Sequence, residues 1–442
     1  MTIAVLTPDE VKAVDASAPE PVEVLIARAG AAVAAEAVDL LGGTYGRRVV
    51  VVAGKGNNGA DGRVAAELLR RRGARVAVLE ASDVPEVLPV SDLVIDAAYG
   101  TGFRGTWDAP SPAGAPVLAV DIPSGVDALT GGVGDSTWAA VRTVTFQAVK
   151  PGHLLGRGAE LAGDIVVADI GLDVSTARTW LVEDVDVALP ERARDAHKWQ
   201  AAVWVVAGSP GMTGAAHLAS RAAQRAGAGY VRLSVPGGVA GEGAPTEAVG
   251  VPLPASGWVD EVLAGLDRFG AAVVGPGLGR GSDTDVRALV AAATGPLVVD
   301  GDGLTALGER PSVPASVVLT PHDGEFERLT GSKPGADRLA AARALAASSG
   351  GVVLLKGSTT VVAEPGGRVL LAATGDARLA SAGTGDVLSG IIGALLASGV
   401  PPFEAAAWGA HLHGLAAQAG PARGLVAGDL VEQLPEVLAA VG

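Results

Sequence analysis

The fold of this chain is decided by the stretch Arg48-Val49-Val50-Val51-Val52-Ala53-Gly54-Lys55-Gly56-Asn57-Asn58-Gly59-Ala60-Asp61-Gly62. Its apolar first part predicts a strand that is buried on both faces. The glycines predict a tight turn, and the residues that follow predict a helix over residues 63–72. A strand, a glycine turn and a helix in this order are typical of a parallel α/β sheet.

Similar apolar runs recur along the chain and alternate with alanine-rich helical stretches, which indicates an α/β protein. The charged, proline-containing stretch at residues 183–195 interrupts this pattern and predicts a domain boundary. We therefore predict one domain at residues 1–190 and a second at residues 191–442. The strands predicted in them are residues 48–53, 75–79, 93–96, 117–121, 141–146 and 165–170, then 203–207, 230–235, 271–275, 296–300, 316–320, 352–356 and 368–372.

Composition excludes several classes of protein. The 442 residues include 33 basic and 48 acidic ones, for a net charge of −15, which disfavours nucleic acid and anionic membranes as partners. There is no cysteine, so disulfides, thiolate metal sites and a cysteine nucleophile are excluded. Residues 1–15 have no basic segment followed by a long apolar run, so we expect no signal peptide and a cytoplasmic protein. The most apolar predicted helix, residues 387–397, is too short to span a bilayer.

The turn at residues 54–62 contains the spacing Gly-x-Gly-x-x-Gly, and Glu80 ends the next strand. In dinucleotide-binding folds the N–H groups at the start of the helix bind phosphate, and an acid at the position of Glu80 binds ribose. The pattern predicts an anion site, with a tight turn that binds nothing as the alternative. A nicotinamide dehydrogenase would use the same features, but the first half shows no catalytic His or Lys–Tyr pair.

Oxygen-bearing side chains are expected to meet beside this turn. Asn58 lies in the turn, Asp96 and Asp121 end strands, and Ser124 closely follows Asp121. The carboxyl ends of parallel strands lie at one edge of a sheet, so these side chains should converge. A single aspartate at a strand end is more often a helix cap, but four oxygen donors at one edge favour a cation or a polar ligand.

Three segments of the second half carry potential chemistry. His322 is followed by two acids at a strand end; we expect it to contact a ligand or to be a buried histidine rather than to bind a metal. Lys356 precedes three hydroxyl residues, which predicts a phosphate contact, a β-hairpin or both. The turn Gly383-Thr384-Gly385 precedes Asp386 and an apolar helix, which predicts an anion hole with Asp386 as proton acceptor; a helix cap is the alternative.

The first half resembles the epimerase domain of NAD(P)H-hydrate repair enzymes. The resemblance is carried by residues 54–62, the loop after Asp96, Asp121-Ile122-Pro123-Ser124-Gly125, Thr145-Phe146 and Lys150-Pro151-Gly152. It implies a Rossmann-like three-layer domain in which Asn58, Asp96 and Ser124 hold K⁺, and Asp121 is our candidate for the catalytic proton transfer. Ala60 stands where the family usually has Gly. The substrate contacts that it implies are Asn57, Asn58, Gly59, Ala60, Asp61, Gly100, Thr101, Gly102, Phe103, Arg104, Gly105, Thr106 and Asp121.

The second half resembles the dehydratase branch of the ribokinase-like superfamily, on residues 208–216, 275–279, 320–325, 356–360 and 382–386. The resemblance implies a ribokinase-like α/β domain that uses Mg²⁺ and ADP, with Asp386 as the catalytic residue. Trp199 stands where the family often has Gly. The implied substrate contacts are Ala215, Gly277, His322 and Asp386. The implied ADP contacts are Lys356, Gly357, Ser358, Thr359, Thr360, Ala382, Gly383, Thr384 and Gly385.

Together the two resemblances predict a bifunctional metabolite repair enzyme. It would interconvert the R and S forms of hydrated NADH and NADPH, and dehydrate the S form at the expense of ADP, giving AMP and phosphate. One alternative is an ATP-dependent small-molecule kinase with an N-terminal nucleotide-binding domain. Another is a first domain that only binds and regulates the second. We expect small molecules as ligands, and a homo-oligomer because helices rich in Ala and Gly permit close packing.

Overall fold

The computed structural model describes residues 3–134, 136–239 and 241–441. These residues divide into two compact units, the first at Ile3–Thr179 and the second beginning at Trp180. The charged stretch at residues 183–195 lies just inside the second unit. The division after residue 190 therefore stays a prediction.

The first unit is built on a parallel sheet with the strand order β3-β2-β4-β5-β6-β7. All the strands predicted for this part of the chain are present, with small differences in their ends. The strands are β1 Ile3–Ala4, β2 Arg48–Ala53, β3 Arg75–Glu80, β4 Leu93–Ala97, β5 Val117–Val120, β6 Arg142–Phe146 and β7 Asp164–Ala168. The helices are α1 Pro8–Ala16, α2 Val22–Leu41, α3 Asn57–Arg71 and α4 Gly158–Leu161.

The two faces of this sheet are covered in different ways. Helices α2 and α3 pack on one face, around buried residues such as Val33 and Leu69. The other face is covered by segments between the strands that bring Trp107 and Trp138 into edge-to-face contact, with ring centroids 6.2 Å apart. The predicted Rossmann-like α/β arrangement is confirmed.

Helix α3 begins at Asn57, so the prediction of a helix from residue 63 was wrong at its start. The cause is the close approach of the helix to the end of β2. A Cβ atom on Gly59 would lie 1.9 Å from the carbonyl oxygen of Gly54, so only glycine allows this contact. Ala60 lies within the helix and has no positive φ, so its methyl group strains nothing in the backbone.

The second unit contains a mixed sheet in the order β8-β17-β16-β15-β14-β13-β12-β9-β10-β11. Strand β16 pairs antiparallel with both neighbours, and the pairs from β15 to β11 are parallel. The strands are β8 Thr179–Leu181, β9 Ala202–Val206, β10 Tyr230–Ser234, β11 Val249–Gly250, β12 Ala271–Val274, β13 Leu297–Val299, β14 Val317–Leu319, β15 Val352–Leu355, β16 Thr360–Ala363 and β17 Val369–Ala372. The helices are α5 Gly214–Arg225, α6 Val259–Leu266, α7 Asp283–Ala292, α8 Asp302–Leu307, α9 Asp323–Thr330, α10 Arg338–Ser349, α11 Thr384–Ala397, α12 Pro402–Ala419 and α13 Ala427–Val441.

The predicted strands did not include four short ones, β1, β8, β11 and β16, although the hairpin considered at Lys356 implies a strand in the place of β16. Two of them have only two residues, and β16 follows β15 so closely that both read as one segment. The predicted apolar helix is confirmed as α11, which packs against α5 in a core of Ala, Val, Leu and Ile. No helix in the described ranges is both long and apolar enough to cross a membrane.

Candidate active sites

A cavity of about 1140 Å³ opens at the carboxyl ends of β2, β4 and β5 in the first unit. Most of the residues predicted to contact the substrate line this cavity. Those residues are Asn57, Asn58, Asp61, Gly100, Thr101, Gly102, Phe103, Arg104 and Asp121. The predicted contacts Gly59, Ala60, Gly105 and Thr106 are not among the lining residues.

Asp121 follows β5 with a left-handed backbone, at a φ of 68°. Its Oδ2 accepts hydrogen bonds from the backbone N–H of Thr101 at 2.7 Å and from the Thr101 hydroxyl at 2.8 Å. The ammonium of Lys150 lies 2.6 Å from its Oδ1. Burial alone would raise the pKa of Asp121, but Lys150 and these hydrogen bonds lower it to about 2. The cavity therefore contains a carboxylate that is ionised at neutral pH.

Two buried basic residues, Lys150 and His153, contact Asp121. The sequence analysis identified Lys150 only as part of a family motif. Lys150 is 1% exposed and also donates to the Thr145 hydroxyl at 2.7 Å. His153 accepts the backbone N–H of Lys150 at Nδ1, and its Nε2 lies 2.8 Å from the carbonyl oxygen of Asp121. Burial lowers the pKa of His153 to about 4, so its ring is neutral and donates from Nε2. No periodicity or spacing distinguishes these residues from ordinary core positions.

The residues predicted to hold K⁺ include one tight pair. The Ser124 hydroxyl lies 2.6 Å from Oδ1 of Asp96, and the Ser124 N–H donates to Oδ2 at 2.8 Å. Asp96 is completely buried, and burial raises its pKa to about 6. Both polar atoms of the Asn58 amide are buried and have no hydrogen-bond partner among the described residues. A carboxylate, a hydroxyl and an amide oxygen without a partner form an all-oxygen donor set of the kind that suits a hard cation.

Asp61 supplies a second carboxyl group to the cavity, in a contrasting environment. It is 6% exposed, and burial, followed by the nearby charge of Asp121, raises its pKa to about 8. It therefore carries its proton at neutral pH and can donate a hydrogen bond, whereas Asp121 can only accept. Two carboxyl groups with separated pKa values in one cavity can act as a proton donor and a proton acceptor.

In the second unit the buried carboxylate of Asp300 organises the candidate site. Its Oδ1 lies 2.6 Å from Nζ of Lys356 and accepts the Thr320 hydroxyl at 2.7 Å. Its Oδ2 accepts the Ser389 hydroxyl, on α11, at 2.8 Å. Burial alone would raise the pKa of Asp300, but Lys356 and these donors lower it. The sequence missed Asp300 as a site residue, although it ends a strand just as Asp96 and Asp121 do.

Asp386 lies in the first turn of α11, as predicted. Burial, followed by the charge of Asp300, raises its pKa to about 7, and Lys356 opposes this shift. Glu325 adds a further carboxyl group whose pKa burial also raises. A carboxyl group that titrates near neutral pH is well matched to general base catalysis.

The structure brings several predicted substrate and nucleotide residues of the second unit together. A Cβ atom on Gly277 would lie 3.1 Å from Cβ of Ala215. A Cβ atom on Gly385 would lie 3.3 Å from Nζ of Lys356, so the turn before α11 meets the segment that carries Lys356. His322 caps α9, where its Nδ1 accepts the N–H groups of Gly324 and Glu325, and its side chain is 56% exposed.

The predicted ADP contacts lie on two turns. Lys356, Gly357, Ser358 and Thr359 connect β15 to β16, and Thr360 begins β16, so the predicted hairpin is confirmed. Ala382 precedes Gly383, which is the N-cap of α11, and Thr384 and Gly385 begin the helix. Arg338, which the sequence missed, fixes the first turn by donating to the carbonyl oxygen of Lys356 at 2.6 Å.

Trp199 lies away from the candidate site of the second unit. It belongs to a short 3₁₀ turn, Lys198–Ala201, that precedes β9, so it is at the amino end of that strand. Its ring packs against Tyr230, with centroids 4.4 Å apart. The departure from the family at this position therefore concerns packing at the edge of the sheet opposite the site.

The fold and the two sites define a two-unit α/β enzyme that acts on nucleotides. A family model described as NAD(P)H-hydrate dehydratase matches residues 203–438. A second model, described as YjeF-related protein N-terminus, matches residues 22–88 and 79–152. The chain belongs to the family of bifunctional NAD(P)H-hydrate repair enzymes, which combine an epimerase and a dehydratase.

Relatives extend over most of the chain. The bifunctional NAD(P)H-hydrate repair enzyme Nnr of Mycobacterium tuberculosis is 41% identical over 83% of this chain and 82% of its own length. The corresponding enzyme of Moorella thermoacetica is 37% identical over 89% of this chain and 87% of its own length. These relatives confirm the predicted repair enzyme and favour it over the kinase and dehydrogenase alternatives.

Solved structures match the second unit. The ADP/ATP-dependent NAD(P)H-hydrate dehydratase of Bacillus subtilis, co-crystallised with ATP and Mg²⁺, has a TM-score of 0.52 and 34% identity. The match covers 58% of this chain and 96% of that chain. A ribokinase-like superfamily protein from Enterococcus faecalis, 22% identical, matches with a TM-score of 0.51 over 60% of this chain and 96% of its own. The predicted ribokinase-like fold is confirmed.

Proposed function

We propose that the cavity of the first unit is the epimerase site and that the start of α11 is the dehydratase site. The observation that carries this assignment is the contrast between two aspartates, Asp121 at the end of a parallel strand and Asp386 in the first turn of α11. Asp121 is held ionised by Lys150, whereas burial raises the pKa of Asp386 to about 7. Both groups can accept a proton from a hydroxyl, but Asp121 is ionised throughout the neutral range, whereas Asp386 changes its charge within it.

In the epimerase site the phosphates of the hydrated nucleotide would meet the first N–H groups of α3, where the helix dipole favours anions. The hydroxyl of the hydrated ring would then lie between Asp121 and Asp61. Asp121 accepts the hydroxyl proton as the bond between the ring nitrogen and the hydroxyl-bearing carbon breaks, and Asp61 supplies a proton to that nitrogen. Reversal of these transfers on the other face of the carbonyl carbon inverts the centre and restores both carboxyl groups.

The epimerase cavity also offers a site for K⁺. Asn58, Asp96 and Ser124 would hold the ion through their amide, carboxylate and hydroxyl oxygens. Two observations support this site: the amide of Asn58 has no hydrogen-bond partner among the described residues, and the buried carboxylate of Asp96 is held by neutral donors from Ser124 and Ala98. A bound cation would supply a fixed positive charge that orients the substrate. Asn57 and Gly100 would complete the contacts at this end of the cavity.

In the dehydratase site we propose that ADP lies along residues 356–360 and the start of α11. Asp386 would take the proton of the S-hydrate hydroxyl as its oxygen attacks the β-phosphorus and AMP leaves. The N–H groups of Gly383, Thr384 and Gly385 would stabilise the negative charge on the phosphoryl group. Phosphate then leaves the ring carbon with help from the ring nitrogen, and the adjacent ring carbon loses a proton to the departing phosphate, which restores the double bond of NAD(P)H. Glu325 is one of the carboxyl groups that would help to hold Mg²⁺, which would supply positive charge beside the ADP phosphates.

The experiment that tests both assignments supplies a mixture of R and S hydrates with ADP and follows the recovery of NADH. We expect the wild-type chain to convert the whole mixture. Asp121→Asn should stall once the S form is used up and then proceed only at the spontaneous exchange rate. Asp386→Asn should recover no NADH yet still exchange R and S. Complete conversion by either variant would remove that aspartate from the mechanism.

The K⁺ site has a separate test. Asn58→Ala should weaken R/S exchange and shift its dependence on KCl to higher concentrations, because one of the oxygen ligands is lost. The dehydratase reaction of the same variant should be unchanged. Exchange that responds to KCl as in the wild type would contradict the assignment of Asn58.

We also propose that the enzyme works in the cytoplasm as a homo-oligomer. The acidic, cysteine-free composition and the small-residue helices support this proposal. Sedimentation of the purified chain tests the oligomeric state, and a single species with the mass of one chain would contradict it.

A further inference from the structure

One end of the epimerase cavity carries an ion pair that the proposed mechanism does not use. The guanidinium of Arg63 reaches Glu80 at the end of β3, with Nη2 at 2.7 Å from both carboxylate oxygens. Its Nη1 donates to the carbonyl oxygen of Gly54 at 2.8 Å. Glu80 lines the cavity together with Lys55 and Ser82. Arg63 is not itself among the lining residues, but its side chain is 38% exposed and that of Glu80 is 53% exposed, so both are accessible beside the cavity.

The order of the strands indicates which part of a dinucleotide reaches this pair. Strand β2, which leads into the turn before α3, lies between β3 on one side and β4 and β5 on the other. Asp121 follows β5, so the hydrated ring would lie on that side and the pyrophosphate at the start of α3. The adenosine half then extends toward the end of β3, where an acid such as Glu80 contacts the ribose in dinucleotide-binding sheets.

We infer that the Arg63–Glu80 pair reads the substituent on the 2′ carbon of the adenosine ribose and lets the site accept both hydrated NADH and hydrated NADPH. Glu80 accepts a hydrogen bond from the 2′ hydroxyl of hydrated NADH. With hydrated NADPH, Arg63 releases Glu80 and pairs with the 2′ phosphate, since guanidinium groups bind phosphate through paired hydrogen bonds. Without Arg63, the charge of Glu80 would repel that phosphate. The inference rests on the proposed binding of the dinucleotide in this cavity.

The test compares KM and kcat for R/S exchange of hydrated NADH and hydrated NADPH. In Arg63→Met the KM for hydrated NADPH should rise by about tenfold or more relative to the KM for hydrated NADH, since a charge-assisted contact is lost. In Glu80→Gln the ratio should move in the opposite direction. That variant keeps the contact between Arg63 and Gly54, so its effect does not depend on a change in the turn. Arg71→Met, which removes an exposed ion pair with Glu67 on the same helix, is the matched control and should leave the ratio unchanged.

The outcomes separate the inference from the function on which it rests. Opposite shifts of the KM ratio in the two variants support the inference. Equal changes for both substrates would mean that Arg63 only holds the turn through Gly54, and this would overturn it, as would an unchanged ratio. A wild-type chain that exchanges neither hydrate would overturn the epimerase assignment itself and the inference with it.

Discussion

At the scale of single residues, the two sites obtain opposite proton affinities from the same residue type. Asp121 is paired with Lys150 at 2.6 Å, and the ammonium outweighs the effect of burial. Asp386 lies near Lys356 as well, but Asp300 already holds that ammonium at 2.6 Å. Burial and the charge of Asp300 therefore control the pKa of Asp386. How each lysine is shared therefore decides the pH range in which each aspartate is ionised and can accept a proton.

The pH dependence of the dehydratase follows from this arrangement. Asp386 accepts a proton only when it is ionised, so kcat for dehydration should rise as the pH increases through about 7. In Ser389→Ala, Asp300 loses one donor but keeps Lys356 and Thr320, so the midpoint should move by less than a unit. If kcat of the wild type, measured at saturating ADP, is constant between about pH 5.5 and 8.5, Asp386 is not the base.

The sequence could identify the aspartates but not their partners. Strand-end position marks Asp96, Asp121 and Asp300 in the same way, because the carboxyl edge of a parallel sheet is where polar side chains meet. Lys150 is distant from Asp121 along the chain, and its contact depends on how the segment after β6 folds back. A long-range ion pair of this kind leaves no local pattern.

At the scale of elements, close helix contacts set the position of the two turns that we propose bind anions. Helix α11 packs so closely on α5 that a Cβ atom on Gly390 would lie 2.2 Å from the carbonyl oxygen of Ala219. Apolar patterning predicted the existence of α11, since its continuous apolar surface is visible in the sequence. The early start of α3 was not predictable from the sequence pattern. Glycines in a sequence indicate a turn, whereas the close contact that requires Gly59 is visible only in the three-dimensional structure.

Gly390→Ala should therefore separate α11 from α5 and displace the turn that carries Asp386. We expect a loss of stability of about 1–3 kcal/mol, as for other overpacked positions, and a clear fall in dehydratase kcat. Gly428→Ala is the matched control, since Gly428 is also helical and a Cβ atom there would meet nothing within 4 Å. Urea unfolding of both variants gives the comparison, and equal stability would contradict the packing argument.

At the scale of the whole molecule, the chain consists of two units with separate cores and separate chemistry. Composition and strand patterning were sufficient to predict two α/β units. The exact division was harder to predict, because the charged stretch at residues 183–195 marks a change in composition, whereas the units are defined by their contacts.

Lys150→Met tests this division. Removing the ammonium leaves Asp121 buried without its partner, which should cost the first unit about 3–5 kcal/mol of stability and abolish R/S exchange. The pair stabilises fully above the ordinary pKa of 3.8 and loses its effect as the pH falls toward about 2, so the difference from the wild type should shrink there. Dehydration of pure S hydrate should be unchanged at neutral pH. A parallel loss of dehydratase activity would contradict separate units.

The contact between Gly59 and Gly54 has a consequence for how the first site takes up its ligand. The backbone of the turn packs closely against itself, so the N–H groups that we propose bind the phosphates are already ordered before a nucleotide binds. The entropic cost of ordering this turn is incurred when the chain folds and not when the ligand binds. Such preorganisation predicts that association is limited by diffusion and desolvation, with no slow closing step at this end of the cavity.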